Sequence, residues 1–125
     1  MLVDSIHEAA LLIGGESVPS SNGATYDIPS PATGKPVGRV ASATTDDVER
    51  AVANAHEAFL DWSKKSAYER EKIIRKATAH ARTKADEIGR LMALEQGKPF
   101  NQSRGEVTAS CDMIEYYAAE APRIE

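Results

Sequence analysis

The amino-acid sequence predicts a mostly helical chain, with a short β-hairpin and edge strands at its front and three main helices behind them. Three observations carry this reading. A Gly14-Gly15 pair divides two short stretches between Ala9 and Pro19, the glycine pair that a two-residue hairpin turn favours. From Val48 onward apolar residues recur at three- and four-residue steps, the spacing of a helix face rather than of a strand. In Leu94-Glu95-Gln96-Gly97-Lys98-Pro99-Phe100 helical sequence stops, and equally helical sequence follows it.

Taken in order, the hairpin ends at Pro19, and Ser20-Ser21-Asn22-Gly23 forms a polar loop. Tyr26 to Ile28 is a strand cut by Pro29 and Pro31, and Thr33-Gly34 turns the chain into the apolar stretch Val37 to Ala41. The prolines confine this segment to an edge or cover position. The first helix starts near Thr45 with Asp46 and Asp47 on its positive end; Val48, Val52, Ala55 and Phe59 form one stripe, and Trp62 closes it. Ser66-Ala67-Tyr68-Glu69 is a capping box that opens the second helix. Its stripe runs through Ile73, Ile74, Ala77, Ala81, Ile88, Leu91 and Met92 to Gly97, where a left-handed residue ends a helix and Pro99 prevents its continuation. At thirty residues it is long, and the polar Thr83-Lys84-Ala85-Asp86 is where it would kink or split. Asn101 and Ser103 are candidate caps for the third helix, expected over Gln102 to Glu120 with Val107, Ile114, Tyr117 and Ala118 on one face, and Pro122 ends it.

Composition bounds the core and the partners. A length of 125 residues suits one small domain or part of one. Leu, Ile, Val and Phe number 23 of the 125, and much of the 42% hydrophobic content is alanine, which buries little area per residue. Helices of this kind need something to lean on. A net charge of −4 weighs against nucleic acid, which calls for clustered Lys and Arg. The richest basic stretch, Lys64-Lys65 to Lys76, is interleaved with Glu69 and Glu71 and reads as a solvated helix face. One cysteine, no apolar run near the ~20 residues of a membrane span, and no basic segment in Met1 to Glu8 together give the expectation of a cytoplasmic chain without a membrane or secretory segment.

The segment Leu94 to Pro99, followed by Arg104-Gly105-Glu106-Val107, resembles the Glu/Asp-x-Gly-Lys-Pro stretch near the front of the NAD(P)-dependent aldehyde dehydrogenases. Other pieces fall in that family's order: Leu12-Ile13-Gly14-Gly15-Glu16, Ser30-Pro31-Ala32-Thr33-Gly34, Asp47 to Val52 with Ala58-Phe59 and Trp62, Glu69-Arg70, and Tyr116-Tyr117-Ala118. The match runs from about Leu11 to the last residue. The resemblance implies an α/β fold of which residues 1–125 are the N-terminal part of the NAD(P)-binding domain, an incomplete domain whose partner is the remainder of the chain. It also implies oxidation of an aldehyde to an acid with NAD or NADP by the full-length protein, a homo-oligomer. Leu-Glu-Gln-Gly-Lys-Pro with the following Gly-Glu-Val is most similar to the succinate-semialdehyde branch. Some members hold a structural cation with a backbone carbonyl and an acidic residue at the positions of Pro29 and Glu95, oxygen donors that suit a hard cation.

The chemistry implied by the resemblance needs a cysteine nucleophile, a base and oxyanion donors. The family's catalytic cysteine, in a Gly-Gln-x-Cys context, and its other catalytic and cofactor-contacting residues correspond to positions beyond residue 125, so none is carried onto this chain and no cofactor is expected to bind it alone. Cys111 stands mid-helix beside Asp112, without the His, Lys or helix N-terminus that would activate a thiolate, and reads as structural. His7, His56 and His80 have no second ligand at metal spacing. No Gly-x-Gly-x-x-Gly follows a strand. The competing reading is a non-catalytic helical module for oligomerisation or partner binding, since apolar helix faces left without a sheet associate.

Overall fold

A computed structural model of the chain describes residues 7–124 and divides them into two compact units, one up to Ser63 and one from Lys64 onward. The reading of Met1 to Glu8 lies, except for His7 and Glu8, outside the described residues.

In the first unit β2 (Leu11–Ile13) and β3 (Glu16–Val18) form the expected antiparallel hairpin, Ile13 opposite Glu16. Gly14 and Gly15 both have positive φ, 63° and 84°, and a Cβ on Gly14 would come within 2.7 Å of Asn54 Oδ1. The first unit also holds a three-stranded sheet in the order β1 (His7–Ala9), β5 (Pro36–Ala41), β4 (Thr25–Pro29). β4 runs antiparallel to β5 with an irregularity at Ile28/Pro29, where proline has no N–H for the ladder, and among the described residues it has β5 as its one neighbour. The proline-flanked segment is thus at an edge, as its residues dictate. β1, which pairs in parallel with β5, has no signal in the sequence pattern because three exposed residues show no alternation. Helix α1 (Thr45–Trp62) starts and ends where the sequence places it.

The second unit is four helical pieces. Ser66 caps α2 (Ala67–Thr83), its hydroxyl accepting from Glu69 N–H while Glu69 takes the Ser66 N–H. The expected thirty-residue helix is two: at Lys84 (φ −103°, ψ 7°) the N–H turns to Ala81 O, and α3 (Ala85–Gln96) begins. Three expected helices therefore become four. Gly97 ends α3 at φ 68°, its N–H donating to Ala93 O. Helix α4 spans Phe100–Glu120 and passes into a single 3-10 turn, Ala121–Arg123, that contains Pro122.

Two details of α4 depart from the sequence reading. Ser103 is not a cap: it is fully buried, and its hydroxyl donates back to Pro99 O. The buried face is Ser103, Val107, Cys111 and Ala118, while Ile114 and Tyr117, expected beside Val107, are exposed. Near the start of α4 the two helices α3 and α4 lie against each other at backbone distance. A Cβ on Gly89 would stand 3.0 Å from Arg104 Cα. Arg90 lies over the Phe100 ring, 5.5 Å from its centre, across the same joint.

Candidate functional site

The largest fully buried side chains are Asp47 and Ser103, not a leucine or a phenylalanine. The best-organised centres of this chain are therefore polar, and each decides a question about chemistry.

Asp47 is the third residue of α1 and 1% exposed. Its Oδ2 accepts the backbone N–H groups of Ser21 (3.1 Å) and Thr44 (3.0 Å), with the hydroxyls of Ser20, Ser21 and Thr44 around it. Arg50 Nη2 reaches Oδ1 at 3.0 Å. The Thr44 and Ser21 donors hold this carboxyl well below the usual carboxylate range. With Oδ2 ringed by these donors and Oδ1 facing the Arg50 guanidinium, this carboxylate is committed to holding structure. It fastens the Ser20-Ser21 loop to the start of α1. The sequence signal was present: Thr44-x-x-Asp47 is a capping box, whereas position alone had suggested only a charge on the first turn.

A second network joins α2 to α4. Buried Thr78 donates to Glu115 Oε1 at 2.7 Å; Arg82 lies 3.3 Å from the same oxygen and 2.7 Å from Asp112, and Arg75 is 3.9 Å from Glu115 Oε2. The Thr78 hydroxyl, then Arg82, draws Glu115 below its ordinary range. Glu115 is thus committed to cross-helix bonding.

The remaining candidates are dispersed. Cys111 is 3% exposed on the inner face of α4, closed to a substrate in this arrangement. All three histidines are exposed, and among the described residues no three His, Cys, Asp or Glu side chains come together as a metal cluster. Pro29 ends β4 in the first unit and Glu95 lies in the last turn of α3 in the second, both exposed. A nicotinamide dinucleotide needs free N–H groups for its pyrophosphate, and the first turns of α1 and α2 do not offer them. The first turns of α1 and α2 carry Asp46, Asp47 and Glu69, with Thr44 and Ser66 occupying N–H groups there, and Gly14-Gly15 is a hairpin turn.

What the chain does display is apolar surface. On α1, Val48, Val52 and Phe59 of the expected stripe all point outward, Phe59 56% exposed. On α4, Met113, Ile114, Tyr116 and Tyr117 are exposed, the two tyrosine rings meeting edge to face at 5.4 Å.

Comparison with known proteins gives these faces a context. Residues 18–125 match the model of the aldehyde dehydrogenase family. The chain is 40% identical to a mitochondrial succinate-semialdehyde dehydrogenase of Arabidopsis thaliana and 41% identical to that of Oryza sativa subsp. japonica, each over 113 residues. These alignments take in 90% of this chain and 21% of each relative, so the chain spans about a fifth of the curated proteins it matches. Its structure is similar to an NAD-dependent aldehyde dehydrogenase from Sinorhizobium meliloti, with a TM-score of 0.92 and 34% identity, over 97% of this chain and 25% of that one. With the family model covering most of its length, the chain belongs to the aldehyde dehydrogenase family.

Proposed function

We propose that this chain is the N-terminal part of the NAD(P)-binding domain of an aldehyde dehydrogenase, an enzyme that oxidises an aldehyde to a carboxylic acid with NAD or NADP, and that it serves there as scaffold without catalytic residues of its own. One observation carries the reading: a chain similar to a quarter of an aldehyde dehydrogenase buries aspartate and serine while leaving Val52, Phe59, Ile114 and Tyr117 outside. Such faces belong against further protein, and the remainder of the enzyme is their partner. The similarity to two succinate-semialdehyde dehydrogenases favours succinic semialdehyde as the substrate.

A homo-oligomer and a reducing compartment, the cytoplasm, complete the proposal; the single buried thiol suits such a compartment. No helix among the described residues is long and apolar enough to cross a membrane. The structural cation that the family resemblance implies, with the Pro29 carbonyl and the Glu95 carboxylate among its ligands, belongs to the same proposal. Two oxygens are too few for a hard cation, which takes about six, so further oxygen ligands or waters complete the shell. A cation held there would raise the melting midpoint of the longer enzyme, and Glu95→Gln would remove the rise.

The exposed stripes also favour a second reading, a non-catalytic oligomerisation or partner-binding module. The reading frame beyond residue 125 separates the two. An uninterrupted frame with a catalytic cysteine and glutamate supports the enzyme; a stop codon directly after Glu125 leaves the module or a decayed gene.

A further inference from the structure

We draw no further inference here: the strongest candidate, the exposed stripe of α1 formed by Val48, Val52, Ala55, Phe59 and Trp62 at alternating four- and three-residue steps, is an unpartnered helix face, and nothing in the structure shows what covers it.

Discussion

Gly89→Ala and Gly105→Ala make the same chemical change on neighbouring helices and should move stability in opposite directions. In a helix interior alanine is favoured over glycine by about 1 kcal/mol. Gly105 in α4 has open space where its Cβ would go, so Gly105→Ala should gain most of that amount. At Gly89 the new methyl would meet Arg104 Cα at 3.0 Å and Arg104 N at 3.1 Å. These are backbone atoms of α4 that cannot swing aside, so the two helices must separate by a few tenths of an ångström. Overfilling a tight contact costs about 1–3 kcal/mol, which outweighs the propensity gain and leaves a net loss of roughly 1 kcal/mol. With a urea m-value of about 2 kcal/mol/M for a small protein, the midpoint should fall by about 0.5 M for Gly89→Ala and rise by a similar amount for Gly105→Ala. Urea titrations of the two variants beside the parent chain, followed by helical circular dichroism with m held constant, read this directly. A Gly89→Ala chain as stable as the Gly105→Ala chain would refute the backbone-distance contact between α3 and α4.

Acid should weaken the fold below about pH 4.5. Asp47 and Glu115 are held under their ordinary values of 3.8 and 4.5, so the unfolded chain takes up protons first; their contribution is whole above those values and lost as pH falls through the folded ones. Urea midpoints from pH 6 to pH 3 should decline, and less steeply in Asp47→Asn; an unchanged slope in that variant would remove Asp47 from the account. Ser66→Ala should cost about 1 kcal/mol through the lost cap of α2, measured by thermal unfolding, while Ser103→Ala should not behave as the loss of a cap, because Ser103 bonds Pro99 O inside the helix. Phe59→Ala should change the 125-residue chain by under about 0.5 kcal/mol, as surface substitutions do. In the longer enzyme it should cost about 3 kcal/mol, as for a buried ring, and equal effects in both settings would contradict a covered α1 stripe.

Most of the local structure is legible in the residues because it is set by short-range chemistry. Gly14-Gly15, Ser66-x-x-Glu69, the polar break near Lys84 and Gly97-x-Pro99 each fix a turn, cap, split or stop without reference to the rest of the fold, and all four appear in the structure. What escapes the sequence is decided at longer range. The parallel pairing of β1 with β5 joins residues about thirty apart. The inner face of α4 went to Ser103 and Cys111, not Ile114 and Tyr117, because the packing of α4 against α2 and α3, not hydrophobicity alone, decides which face is covered. The Thr44-x-x-Asp47 box is local, but the burial of Asp47 comes from the distant Ser20-Ser21 loop folding over it. The cation positions Pro29 and Glu95 come from family resemblance alone, and no local pattern at either residue marks them.

The most direct test of the scaffold role is to incubate the purified 125-residue chain with NAD or NADP and succinic semialdehyde and to follow reduced cofactor by its absorbance, beside a longer protein that carries this chain at its front. Turnover by the longer protein and none by the 125 residues is the expected result. Reduced cofactor produced by the 125-residue chain and abolished by Cys111→Ala would contradict the account at its centre.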